Sequence, residues 1–392
     1  VVAGAIVALE NAMHVCYFGT YKPSYPRNRI VIDGLRAAGV QVTECNVQMW
    51  GETDERIALA SGGWCNLRFW MKVLRSYISL IKQEMVLDDY DTMLVGYPGI
   101  FDMYLARLLT WRRRKPLAFD VLMSIHLIFE ERGLASRVPL ITHWIYWLER
   151  GACKIADNLI IDTEPQREYF CRKYGLTPDK FYLVPLGADN RVYYPVDATK
   201  PPTEGCVVMY YGQFVPLHGV SYIVEAARQL RDHLGIQFIF IGEGVTKGAA
   251  EKLSERHDLH NVTFTGWVDK TELIQYVSKA DICLGIFGDS TQAFHTVPNK
   301  IWEGLAMRKA VITGQTVAAA EIFQHEKHLY FCPLADSEAL ATSILRLAED
   351  KALRQALAQQ GYEYYLENFT FQKIGKHFAR YLAEIVSAHK NL

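Results

Sequence analysis

No run in the 392 residues approaches the roughly eighteen consecutive apolar side chains that a membrane-spanning helix requires. The apolar opening, Val1 to Leu9, is short, lacks a basic flank and ends at Glu10, which makes it a poor signal peptide; it is left out of the fold reading. Excess charge is missing too. There are 42 Lys and Arg against 43 Asp and Glu, so a net charge of −1 gives no global case for nucleic acid as a partner. The eight cysteines, at 16, 45, 65, 153, 171, 206, 283 and 332, form no CxxC pair and no metal-ligand spacing. Several lie in apolar runs, the pattern of reduced core thiols in a cytoplasmic protein, and no metal is expected. No short-period repeat is present. What remains is a chain 50% apolar and 22% charged, hence folded, and too long for one ordinary core.

Apolar strand-like runs alternate with helical stretches along most of it. His14 to Phe18 reads as a buried strand ending in Gly19-Thr20, and Asn28 reads as the N-cap of a helix to Ala38, stopped by Gly39. Further runs are Val40 to Thr43, Thr92 to Val95, Leu117 to Val121, Asn158 to Ile161 and Phe181 to Val184. Pro195 to Gly205 is polar and proline-rich, the composition of a linker. A second series begins at Cys206 to Tyr211 and continues through Phe238 to Ile241, Val262 to Phe264, Ile282 to Phe287 and Ala310 to Gly314. The expectation is α/β: two doubly wound, Rossmann-like domains, 13–195 and 206–370, facing a central cleft. Residues 371–392 form a C-terminal helix that crosses back to the first domain, with Tyr362, Tyr364, Tyr365 and Phe369 as candidates for that contact or, alternatively, for ordinary packing within the second domain.

The segment Thr296 to Met307 organises the second half. It follows the polar loop Gly288 to Gln292, and Pro298 sits where a helix begins, at a place that needs no N–H. The first amides of that helix, at Asn299 and Lys300, point outward and, with the lysine, make an anion site. Glu303 lies one turn in, where a carboxylate accepts hydrogen bonds from vicinal sugar hydroxyls. Anion site plus hydroxyl reader suits a nucleotide sugar; the alternative is a plain helix start with a solvated charge.

Two stretches of the first half are basic and aromatic. Leu67, Trp70, Met71, Leu74, Ile78 and Ile81 fall at helical spacing and read as a core stripe, flanked by Arg68, Lys72, Arg75 and Lys82, with no acidic residue between Glu55 and Glu84. Trp111-Arg112-Arg113-Arg114-Lys115 follows, with Trp144, Tyr146 and Trp147 further on. Such helices suit peripheral contact with an anionic membrane, or are core helices with solvated basic faces.

Several segments together carry a resemblance. Val207 to Val220, Phe240 to Gly244, Val262 to Val268, Ala280 to Ile282 and Pro298 to Ala306 resemble, in order, the donor domain of GT-B glycosyltransferases of family four, and Val184 to Asp189 resembles the segment closing the acceptor domain. The resemblance is most specific over 184–349. It implies transfer of a sugar from a nucleotide-sugar donor, a UDP- or GDP-sugar, with retention of configuration and without bound metal or other cofactor. Glu303 then binds the ribose, and the Asn299 and Lys300 amides beside Pro298 hold the distal phosphate. Trp267 and Val268 border the base, while Gly19, Gly212 and Gly242 let backbone approach the donor. This chain departs at three positions. His295 stands eight residues before Glu303 where the family has a first glutamate. Gln213 replaces an arginine and His218 a lysine that usually neutralise pyrophosphate.

Lys300 is the candidate replacement cation, and Arg27 or Arg29 is expected to reach the donor from the first domain. Asp120, Ser124 and His126 are the catalytic candidates, His126 resembling the family histidine at the donor sugar. A strand-end cap at Asp120 and an ordinary core histidine at His126 are the plainer alternatives. Tyr97, in the loop Gly96 to Gly99, is placed on the acceptor side. The expected acceptor is a glycan or lipid-linked glycan precursor, at the inner face of the membrane. Two rival functions share the fold: a nucleotide-sugar epimerase, and a non-catalytic binding subunit.

Overall fold

The structure is a computed structural model that describes residues 13–49, 67–196 and 205–390, with side chains detailed for these apart from 67–69. The apolar opening, Cys65 and most of the expected linker lie outside the described residues. Contacts divide the chain into two units: Val1–Pro185 with Phe371–Leu392, and Leu186–Thr370.

The first unit is built on six parallel strands: β1 (His14–Gly19), β2 (Gln41–Asn46), β3 (Thr92–Val95), β4 (Leu117–Asp120), β5 (Asn158–Ile161) and β6 (Phe181–Leu183). Their order is β2-β1-β3-β4-β5-β6, with Val15 paired to Val42 on one side and Thr92 on the other. β1, β3 and β4 are buried throughout because helices cover both sheet faces, which is why they read as nearly unbroken apolar runs. One face carries the helices Pro26–Ala37 and Phe371–Lys390 around Ile30, Val31, Leu35, Ile374, Phe378 and Leu382. The other carries helices around Leu80, Met103, Ala106, Ala152 and Phe170.

The C-terminal helix approaches its neighbour closely. A Cβ on Gly375 would lie 1.9 Å from the Gly34 carbonyl oxygen, so no larger residue fits there. Its contact residues differ from those expected. Tyr365 donates to the Ala188 carbonyl at 2.9 Å, Tyr364 stacks on His328, and Phe369 packs on Trp302, all within the second unit. For the same reason residues 186–195, expected with the first domain, belong to the second.

Two further expectations change in this unit. Pro26, not Asn28, opens the first helix, with Tyr25 as N-cap. Proline pre-sets the first helical φ, and Asn28 is drawn inward instead, accepting from Tyr17 Oη at 2.9 Å and the Tyr97 N–H at 3.1 Å. The stripe at Trp70, Met71, Leu74 and Ile78 is not core: all four are exposed, while Ser76, Leu80 and Glu84 face inward from the helix Leu67–Met85.

The second unit repeats the architecture: β7 (Cys206–Tyr211), β8 (Ile236–Ile241), β9 (Val262–Gly266), β10 (Ile282–Leu284), β11 (Ala310–Gly314) and β12 (Tyr330–Cys332). These parallel strands run β12-β11-β10-β7-β8-β9, so the winding reverses between β7 and β10, the place where doubly wound sheets bind ligands. The apolar run to Phe287 pairs as a strand only to Leu284. The expected loop Gly288–Gln292 ends in a short helix, Thr291–His295, because the Ser290 side chain accepts from the Ala293 N–H and caps it.

Candidate functional site

At the reversal between β7 and β10, four elements bring polar groups together. Gly212 follows β7 and Gly242 follows β8, with φ of 129° and 130°. A Cβ on Gly242 would lie 2.0 Å from the Gly212 carbonyl oxygen, so the two strand ends can approach only as glycines. A Cβ on Gly212 would meet Lys300 Nζ at 3.2 Å. Lys300 comes from the helix Asn299–Ala306, for which Pro298 is the N-cap and Asn299 the first residue, one position later than expected for the proline. The first turn of any such helix presents amides without an intrahelical acceptor. The side-chain oxygen of Asn299 is also buried with no hydrogen-bond partner.

His218 closes the cluster from a short 3-10 turn, Pro216–His218. Its Nδ1 faces the Gln213 carbonyl, which can only accept, so Nδ1 carries the proton; Tyr210 Oη donates to the same carbonyl at 2.7 Å. Lys300 Nζ lies 3.3 Å from that Nδ1 and 4.1 Å above the Tyr210 ring. Burial pushes the Lys300 ammonium well below the ordinary lysine value, with Glu303 pulling the other way. A neutral amine is also the form that fits beside an Nδ1–H. The Gln213 side chain itself is exposed, and its backbone carbonyl is what serves the cluster.

Glu303 is half-buried one turn along the same helix. Burial raises its carboxyl above the ordinary range, opposed by hydrogen bonds from Tyr193 and Tyr211 and by the charges of Lys270 and Lys300. Tyr211 Oη also donates to the Lys300 carbonyl at 3.0 Å, tying the strand end to the helix start. Tyr193, Tyr211 and Lys270 were not anticipated from sequence. Tyr211 was legible as the residue before the strand-end glycine; Tyr193 was hidden because it seemed to belong to the first domain. Trp267 and Val268 follow β9, the tryptophan 73% exposed and the valine half-buried. His295 is the half-buried last residue of the short helix. Among the described residues, no three His, Cys, Asp or Glu side chains gather as a metal-ion site.

The first unit treats its candidates differently. Arg27 is fully buried: Nε donates to Asp120 Oδ2 at 2.7 Å and Nη1 to the Val184 and Pro185 carbonyls at 2.7 and 3.1 Å. Asp120, a catalytic candidate, is thus its ion-pair partner, while Arg27 Nη2 and Asp120 Oδ1 are buried without a hydrogen-bond partner. Arg29 pairs with Asp33 at 2.9 Å. Beside the pair, burial pushes Asp162 up to about 7, with Arg27 opposing. Ser124 N-caps the helix Ile125–Glu131 and donates to Glu149 Oε2 at 2.7 Å, which accounts for its burial structurally. Glu149, missed from sequence, also accepts the Ile125 N–H at 2.8 Å and a hydrogen bond from Tyr174. His126 lies 3.4 Å from Glu130 and edge-on to Tyr146, and burial lowers its pKa. Tyr97 is buried against Tyr25. Gly19 at the end of β1 has the Asp102 carboxylate where a Cβ would be, at 2.7 Å.

Known proteins resemble this chain in sequence and fold. The family model described as Glycosyl transferases group 1 matches residues 205–350, the span holding the cluster. The lipopolysaccharide core biosynthesis glycosyltransferase LpsD of Rhizobium meliloti is 25% identical over 163 residues, 41% of this chain and 45% of that protein. The chain spans less than half the length of the first curated relatives it matches. Sucrose-phosphate synthase from Thermosynechococcus elongatus superposes with a TM-score of 0.71 at 18% identity, over 96% of this chain and all of that one. Anabaena HepE, solved in complex with UDP-glucose, gives 0.64 at 15%, again over 96% of this chain and 100% of that one. These structural likenesses concern the fold, which is GT-B. Residues 205–350 thus match the glycosyl transferases group 1 model, and the two-sheet fold around them is GT-B.

Proposed function

We propose that the chain is a retaining glycosyltransferase that moves a sugar from a nucleoside diphosphate sugar, a UDP- or GDP-sugar, to a glycan or lipid-linked glycan acceptor. The observation that carries this reading is the convergence of Lys300, His218 and the Asn299–Ala306 helix start on the Gly212–Gly242 strand ends, with Glu303 one turn along. A diphosphate beside Lys300 supplies the counter-charge that burial denies it, so the ammonium form returns when the donor binds. His218, protonated by the same neighbour, adds a second donor in place of the family's lysine. Glu303, held by two tyrosines, accepts from the ribose hydroxyls. HepE, solved with UDP-glucose, favours a uracil base, and LpsD, named for lipopolysaccharide core synthesis, favours a glycan acceptor.

The chemistry assigned to the site is leaving-group stabilisation. The bond from sugar C1 to the diphosphate oxygen breaks, the acceptor hydroxyl oxygen bonds C1 on the same face, and its proton passes to the departing diphosphate. Lys300, His218 and the helix amides meet the charge as it develops. The reaction takes place in the cytoplasm, at the inner face of the membrane, and draws on no bound metal. Incubating the protein with UDP- and GDP-sugars and lipopolysaccharide-core oligosaccharides, with product anomers assigned by NMR, tests this. Transfer with the donor's anomeric configuration, abolished in Glu303→Ala, is expected. Isomerisation of the donor without acceptor would overturn the transferase reading, and an inverted product would overturn retention.

A further inference from the structure

Three helices of the first unit lie side by side. Tyr77 of Leu67–Met85 donates to Asp102 of Asp102–Arg113 at 3.0 Å, and Arg113 donates to Glu84. Tyr104 of the middle helix donates to the Leu148 carbonyl of Pro139–Ile155 at 2.9 Å, and Arg107 to the Ile155 carbonyl. Each turns large apolar side chains outward at helical spacing. Trp70 and Leu74 do so on the first, Leu108 and Trp111 (61% and 67% exposed) on the second, and Leu140 and Trp144 (78% and 69%) with Trp147 on the third. Apolar side chains in such number on one face mark a contact surface rather than ordinary scatter.

The charges decide the partner. The carboxylates of these helices are Glu84, Asp102 and Glu149, and all three are buried and occupied: Glu84 by Arg113, Asp102 by Thr20, Glu149 by Ser124. Outward-facing charge along the three helices is therefore basic, from Lys72, Arg75, Lys82, Arg112 and Lys154, with the exposed Asp88, Asp89 and Asp157 just past the helix ends. We infer that this face docks on an anionic lipid bilayer. Tryptophans seat at the headgroup level, leucines enter the acyl boundary and the basic rim meets the lipid charge. A second copy of the same face would oppose like charges. A nucleic acid would leave Leu74, Leu108 and Leu140 with nothing apolar to cover them. No helix among the described residues is long and apolar enough to cross the bilayer, so the contact is peripheral.

The inference deepens the proposed function by naming where a lipid-linked acceptor is met, but its test uses no nucleotide. The full chain is sedimented with vesicles of phosphatidylcholine alone and with added phosphatidylglycerol. Binding is expected only to the anionic vesicles, with a blue shift of tryptophan emission. Trp144→Ser with Trp147→Ser should abolish it, and each of Arg75→Gln and Arg112→Gln should weaken it about fivefold. Nucleotide-induced thermal stabilisation, measured on the same variants, should be unchanged, which shows them folded. No binding to anionic vesicles would overturn the inference whether or not nucleotide binds. So would concentration-dependent dimerisation, or capture of duplex DNA, that the tryptophan substitutions abolish while vesicle binding is absent.

Discussion

The two units wind similar parallel sheets and end their first strands in glycine, yet what faces that glycine differs in sign. In the first, Gly19 backs onto the Asp102 carboxylate, which is saturated by the Thr20 N–H at 2.7 Å and by the Thr20 and Tyr77 hydroxyls. In the second, Gly212 backs onto Lys300, whose charge is disfavoured by burial. The first unit's buried arginine is likewise answered, by Asp120 and two carbonyls. The first sheet's buried charges face opposite charges or hydrogen-bond donors; the second holds a lysine whose ammonium form burial disfavours. The same fold can thus be read for function by asking what each buried charge faces.

Substituting the two buried cations should give opposite results. Arg27→Ala leaves Asp120 buried and unpaired and should cost roughly 3–5 kcal/mol in urea unfolding. Lys300→Met replaces a buried amine whose charged form burial already disfavours, so its stability should be unchanged or higher. Equal losses in the two variants would erase the contrast.

A second effect is read in the first unit. Asp162 titrates at about 7 in the fold against an ordinary 3.8, so the folded chain binds this proton more tightly than the unfolded one. Stability should therefore fall as pH rises from about 4 to about 7 and level off above, by on the order of 4 kcal/mol. Asp162→Asn should flatten that slope. An unchanged profile in the variant would remove Asp162 as its source.

Much of this was legible in the chain. The strands buried on both faces announce themselves as apolar runs, and Pro298-Asn299-Lys300 with Glu303 carries its own chemistry at fixed helical spacing. Three things were not legible. Arg27 and Asp120 both look functional as isolated letters, 93 residues apart, and only the fold shows that they neutralise each other. Tyr193 reaches Glu303 through a chain crossing that no local pattern marks. The Trp70 to Ile78 stripe has the periodicity of a core helix, and periodicity reports that one face is apolar without saying what covers it.

The central claim is that the second unit's buried Lys300, whose ammonium form burial disfavours, meets a nucleoside diphosphate. Thermal stabilisation by UDP, GDP, ADP, CDP and dTDP, in the wild type, Lys300→Met and Glu303→Ala, tests it most directly. A ligand at a hundred times its dissociation constant stabilises the fold by about 2.7 kcal/mol. The account predicts that shift with UDP or GDP in the wild type and most of it gone in both variants. No shift with any of the five, or a full shift retained in Lys300→Met, would contradict it.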